Sequence, residues 1–197
     1  MNRELLKQNF EKRGYVVSFF DTKEEAAQYL YEQIVGTSVG FGGSSTVNEM
    51  GLKTLLSERN SILLHKIEKD PRAAYRARDA KVFICSANGV SETGVMVNID
   101  GRGNRVSATL FGPEKMYYVI GRNKIEPTPE KAWFRAKNVA APLNAKRLGK
   151  KTPCAIKGDR CYVCNSPDRI CTATVFYDRP MLHTSAEILF IDEDLGL

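Results

Sequence analysis

The feature that most restricts this chain is its repeated change of period, from short apolar runs of strand length to stretches with helical spacing. Residues 2–14 set Leu5, Leu6 and Phe10 at helical intervals, and 15–20 follow as a strand. Thr22-Lys23-Glu24-Glu25 has the form of a capping box and opens a helix carrying Ala26, Leu30 and Ile34, ended by Gly36. Residues 38–41 read as a short strand, with a helix expected over 47–56. Residues 61–65 and 81–86 are further buried strands, separated by a helix over 72–80. This alternation predicts an α/β fold with helices on both faces of a sheet.

Beyond Cys85 the texture changes. Residues 94–101 and 105–110 have the pattern of a hairpin turning at Asp100-Gly101. Residues 116–121 return to a buried strand, 127–147 form a long helix with Pro129 in its first turn, and 186–191 form a last strand. No repeat, low-complexity stretch or linker divides the chain, so residues 1–197 are expected to be one domain, a size that suits a single core. No apolar run approaches a membrane span. The start, Met1-Asn2-Arg3-Glu4-Leu5-Leu6-Lys7, lacks the apolar region of a secretion signal. The expectation is a cytoplasmic protein with reduced thiols.

The net charge of +6 gathers in Lys146, Arg147, Lys150, Lys151, Lys157 and Arg160. Such a run is either a solvated face, a counterweight to thiolates, or a lure for an anionic substrate. No aromatic-rich recognition motif accompanies it, so no nucleic-acid partner is expected.

Gly40-Phe41-Gly42-Gly43-Ser44-Ser45-Thr46 stands where a strand turns into a helix. Glycines let backbone N–H groups converge on one anion, and the hydroxyls of Ser44, Ser45 and Thr46 add donors. The same residues also suit a tight turn that caps the next helix. The location at a strand's carboxyl end favours a ligand. Ser86-Ala87-Asn88-Gly89-Val90-Ser91-Glu92-Thr93-Gly94 is too polar for a core, and it offers Asn88 and Glu92 as substrate contacts, with Glu92 as general base or nucleophile. Asn123 and Lys124 end another strand and could face the same crevice, although a solvated turn is the plainer reading for Lys124. His65 and His183 form no recognisable Ser/His/Asp pattern, and His65 reads as structural.

Four of the five cysteines, Cys154, Cys161, Cys164 and Cys171, lie in one short segment, 152–171, spaced C-x6-C-x2-C-x6-C. The set is complete for a four-thiolate zinc site or an iron–sulfur cluster. Its spacing matches neither zinc ribbons nor ferredoxins, so a Cys161–Cys164 redox pair or four separate reduced thiols remain alternatives.

The glycine loop with Glu49 and Gly51, the segments 86–94 and 98–106, Phe111-Gly112-Pro113, residues 119–125, Ala140-Ala141-Pro142 with Asn144, Thr152-Pro153-Cys154 and 166–171 occur together in order. This set closely resembles the LUD (lactate utilisation) domain family in its short form. The resemblance implies a three-layer α/β/α sandwich around a mostly parallel sheet, like the NagB/RpiA/CoA-transferase superfamily. Members of that superfamily bind sugar phosphates, CoA thioesters or folates near a glycine loop, which agrees with the expectation of a small anionic metabolite held by Gly40, Gly42, Gly43, Ser44, Ser45, Thr46, Glu49, Asn123 and Lys124. Family members in lactate operons work beside iron–sulfur and oxidoreductase subunits, so such partners, or a second copy of this chain, are the expected protein contacts. The competing expectation is a non-catalytic electron-transfer subunit built on the four cysteines.

Overall fold

The computed structural model describes residues 1–64, 70 and 72–197. The expectation for His65 lies outside these residues. Helix α1 (Arg3–Lys12), capped by the Asn2 side chain, leads into β1 (Val16–Phe20). Thr22 and Glu25 close the foreseen capping box at the start of α2 (Lys23–Gln33), which leads to β2 (Ser38–Phe41). The helix expected over 47–56 is two short ones, α3 (Ser45–Glu49) and α4 (Leu52–Ser57). Gly51, with φ 65°, breaks it. Then come β3 (Ser61–Leu64), α5 (Ala73–Arg78) and β4 (Val82–Cys85).

The second half continues with β5 (Gly89–Ser91), β6 (Met96–Asp100), α6 (Asn104–Leu110), β7 (Lys115–Gly121), β8 (Ile125–Glu126) and α7 (Pro129–Arg135). A π-helical turn (Ala136–Ala140) joins α7 to α8 (Ala141–Arg147), and α9 (Pro153–Lys157), β9 (Ala173–Tyr177) and β10 (Ser185–Ile191) complete the chain. In this turn the Ala141 N–H bonds the Ala136 carbonyl, five residues back, and the next residue, Pro142, has no N–H to offer.

Six strands form one sheet in the order β1-β10-β7-β4-β2-β3, with every pairing parallel. Its strands are apolar on both faces. In β10, Ile188 and Phe190 join a core with Leu6 and Phe10 of α1, while Leu189 and Ile191 join one with Leu30 of α2 and Leu52 of α4. The fold is therefore the predicted α/β class, with a mostly parallel sheet between helices.

One layer differs from expectation. Beside α1 and α6 lies a second sheet, β8-β5-β6-β9, whose Val97 and Ile99 pack on Ala132 and Ala136. The hairpin foreseen at Asp100-Gly101 is not there, because residues 104–110 are helical. Asp100 explains why: its Oδ1 accepts from the N–H groups of Arg102 and Gly103, and its Oδ2 from Val106 at 3.2 Å, so the carboxylate caps α6. The antiparallel partners of β6 are β5 and β9. Among the described residues no helix is long and apolar enough to cross a membrane.

Candidate anion site at the strand ends

In the sheet, β2 connects outward to β3 while β4 connects the other way to β7. Loops leaving adjacent parallel strands in opposite directions leave a crevice between them. Here the loop after β2 carries Gly43 to Thr46, β4 is followed by Ser86 to Asn88, and β7 is followed by Asn123 and Lys124. They meet in a cleft of about 540 Å³.

Lys124 is the centre of this floor. It is buried, only 3% exposed, rather than on a solvated turn. Its Nζ donates to Thr46 Oγ1 at 2.7 Å and to Ser86 Oγ at 2.9 Å. Thr46 in turn donates to the Leu195 carbonyl at 3.2 Å. Among the described residues no carboxylate pairs with the amine. Burial, with the neighbouring Arg135 and Arg105 cations adding to it, lowers the Lys124 pKa to about 7. Cys85, which closes β4, is fully buried, and burial pushes its thiol up to about 12, so it is an unreactive core group.

Arg105, from the first turn of α6, lies across the glycine loop. Its NH2 group donates to Asn88 Oδ1 at 3.1 Å and to the Ile99 carbonyl at 2.7 Å, while Asn88 Oδ1 also accepts from the Ile99 N–H. Arg135, reaching in from α7, donates to the Asn123 and Asn88 carbonyls at 2.7 and 2.6 Å. It ties the loops after β4 and β7 together, and burial lowers its pKa.

Six cationic side chains line the cleft: Arg102, Arg105, Lys124, Arg147, Lys150 and Arg169. Two side-chain carboxylates, Asp100 and Asp168, oppose them: Asp100 accepts from backbone N–H groups and pairs with Arg105 Nε at 3.7 Å, and Asp168 accepts from the Lys151 N–H, while Leu197 also lines the cleft. The site is electropositive, as a binding place for anions must be.

The anticipated residues divide. Gly43, Ser44, Ser45, Asn88 and Lys124 line the cleft. Ser44 also caps α3 through the Val47 N–H, and Thr46 is buried beneath the floor, held by Lys124. Gly40 and Gly42 do not present N–H groups through positive φ. A Cβ at Gly40 would stand 2.0 Å from the Ala77 carbonyl oxygen, so Gly40 serves the packing of β2 on α5. A Cβ at Gly42 would stand 2.8 Å from Arg105 Cγ, so Gly42 gives the arginine its seat. Glu49 and Asn123 hold the segment 195–196: Glu49 accepts from the Gly196 N–H, and Asn123 Oδ1 from the Leu195 N–H.

Glu92 is a correction. Expected in the crevice, it lies instead in the β5–β6 turn and is absent from the cleft wall. Strand β5 begins near the cleft at Gly89 and carries the chain away from it. The Glu92 N–H bonds the Glu126 carbonyl, and its own carbonyl accepts from Asn9 of α1.

The cysteines are a second correction. Among the described residues no three His, Cys, Asp or Glu side chains gather to hold a metal ion, so Cys154, Cys161, Cys164 and Cys171 do not form the four-thiolate site. Cys154 sits on α9, its sulfur 3.2 Å from Thr152 Oγ1. Val163, at the unfavourable φ of 49°, turns the chain so that its N–H meets Cys161 Sγ. Arg169 pins the rest, donating to the Cys164 and Cys171 carbonyls and to Cys171 Sγ. These residues do not fit a zinc ion or an iron–sulfur cluster.

The residues that sequence reasoning underrated are Arg105, Arg135, Ser86 and Arg169. Asp100 followed by Gly-x-Gly-Asn-Arg was the available signal for a capped helix start that aims Arg105. Arg135 looks like any solvent-facing helix residue.

A mostly parallel sheet flanked by helices, with an electropositive cleft at its strand ends, defines the class: an α/β protein. The chain matches the LUD domain over residues 3–179 and belongs to that family. A DUF162 family protein from Deinococcus radiodurans is similar in structure, with TM-score 0.55 at 11% identity, covering 97% of this chain and 99% of that one. Ribose 5-phosphate isomerase A from Neisseria gonorrhoeae gives TM-score 0.37 at 17% identity over 54% of each chain. No curated relative matches.

Proposed function

We propose that the protein binds a small anionic metabolite, a hydroxy acid or a phosphorylated or CoA-type compound, in the cleft at the ends of β2, β4 and β7. It acts on that ligand as a cytoplasmic enzyme, or as the ligand-binding subunit of an oxidoreductase assembly. The charge balance of the cleft carries the reading: Arg102, Arg105, Arg147, Lys150 and Arg169, beside the amine of Lys124, face two side-chain carboxylates, of which Asp100 is shared between backbone donors and Arg105 and Asp168 is held by the Lys151 N–H. A bound anion would supply the missing negative charge where water is partly excluded, and there the attraction exceeds that of a surface pair. Membership in the LUD family supports a hydroxy acid such as lactate as the first candidate.

Titration calorimetry of the purified protein with phosphate, sulfate and L-lactate at low ionic strength tests this. One or more should bind with a single site, and Arg105→Met should weaken that binding by about tenfold or more, the worth of one charged hydrogen bond. Absence of binding by all three anions, or equal affinity in the variant, overturns it.

A further inference from the structure

Lys124 offers more than charge. Its Nζ has two protein acceptors, Thr46 Oγ1 and Ser86 Oγ. A neutral amine has two N–H groups, and these two hydroxyls satisfy both. An ammonium has a third N–H, for which no protein acceptor stands in reach among the described residues. The hydroxyl pair therefore suits the neutral amine and leaves one tetrahedral position of the nitrogen, its lone pair, uncommitted. Arg105 and Arg135 oppose a positive charge there, while Glu49, which favours one, is exposed and already bonds the Gly196 N–H.

We propose that Lys124 is a covalent catalytic residue whose amine forms an imine with the carbonyl carbon of a small oxo acid bound in the cleft. The reading rests on the anion site proposed above. The Arg105 guanidinium, whose Nε faces Asp100 Oδ2 at 3.7 Å and whose NH1 makes no protein hydrogen bond among the described residues, takes the carboxylate through NH1. The Nζ lone pair attacks the carbonyl carbon, and the C=O electron pair moves to oxygen. The oxygen leaves as water with the two amine hydrogens, and C=N remains. No electron donor or acceptor is consumed. The Ser86 hydroxyl, 2.9 Å from Nζ, is placed to pass the protons. An amine desolvated beside other cations is the arrangement that makes a lysine nucleophilic near neutral pH.

The test is reductive trapping. The protein is incubated with glyoxylate and cyanoborohydride, which reduces an imine to a stable secondary amine, and digested for peptide mapping. At pH 7 a lysine titrating near 7 is neutral about a thousandfold more often than an exposed one, so Lys124 should be modified at least about tenfold faster than any other lysine despite its burial. Labelling should saturate with glyoxylate, fall with added phosphate, and exceed that by acetaldehyde, which lacks the carboxylate. Modification spread over surface lysines with Lys124 untouched overturns the proposal. Phosphate binding by calorimetry separates the two readings. If phosphate binds and Lys124 stays unmodified, the anion site stands and the imine fails. If neither occurs, both fail. Because mapping is done on the wild-type protein, the outcome does not depend on a variant folding.

Discussion

Lys124 and Thr46 meet across the ends of two parallel strands, Nζ to Oγ1 at 2.7 Å, although they are 78 residues apart in sequence. Burial of the amine, with Arg135 and Arg105 nearby, sets a pH dependence. Lys124 holds its proton more weakly in the folded chain, near 7, than at its ordinary 10.5, so the unfolded chain binds more protons between those values. Stability should therefore rise as pH increases through that window, by up to about 5 kcal/mol from this group alone. In urea titrations the wild-type midpoint should climb between about pH 7 and about pH 9, and Lys124→Met should remove most of the slope. Saturating phosphate should flatten it too, because a bound anion restores the charged form. Equal slopes in wild type and variant would show that Lys124 titrates normally.

Two glycines of the same loop should fail differently. Ala at position 40 puts a methyl 2.0 Å from the Ala77 carbonyl oxygen and 2.8 Å from Phe83, both fixed by packing, so α5 must move off the sheet. Gly40→Ala should cost roughly 3 kcal/mol or more, seen as a lower denaturation midpoint. At position 42 the methyl meets Arg105 Cγ at 2.8 Å, and a flexible side chain can yield. Gly42→Ala should lose about 1 kcal/mol of stability and about tenfold in phosphate affinity, because the guanidinium leaves its seat. The opposite pattern would show that Gly42 is the packing residue.

What could be read in the sequence followed local physics. The capping box at Thr22, the buried strands and the crevice loops were legible because apolar period and turn chemistry are short-range. The order of the sheet was not, since β10, late in the chain, inserts between β1 and β7. The loops were assigned to a strand end correctly, yet which way each continues was invisible, so Glu92 was drawn into the crevice from which β5 carries it away. Lys124 sits among Arg122, Asn123 and other polar residues and reads as solvated. Its burial comes from the segment around Leu195 and from Thr46 and Ser86, all distant in sequence. The cysteine spacing was read as a ligand set, whereas among the described residues no three such side chains gather into a metal site.

Glu92→Gln should be quiet. The contacts that hold this turn are made by the Glu92 backbone, with Glu126 and Asn9, and the substitution keeps both. Stability should change by less than about 0.5 kcal/mol, as for most partly exposed substitutions. Phosphate affinity, measured by calorimetry, should not change. A large loss of affinity with the fold intact would return Glu92 to the site.

Arg169 should control the cysteine segment. Its Nε donates to the Cys171 carbonyl at 2.9 Å and to Cys171 Sγ at 3.2 Å, and its NH1 donates to the Cys164 carbonyl at 3.2 Å. Between α9 and β9 there is no other regular element among the described residues, so this one side chain cross-links two stretches of irregular backbone. Arg169→Met keeps the apolar stem and removes the donors. Local opening should become easier by about 1–2 kcal/mol, the net worth of such bonds, which raises the reaction rate of Cys164 and Cys171 with a disulfide reagent by about tenfold. The global melting temperature should barely change, because the parallel sheet and its two cores lie elsewhere. Phosphate affinity should fall as well, since Arg169 lines the cleft. Unaltered thiol rates would show that the segment is held by something other than this guanidinium.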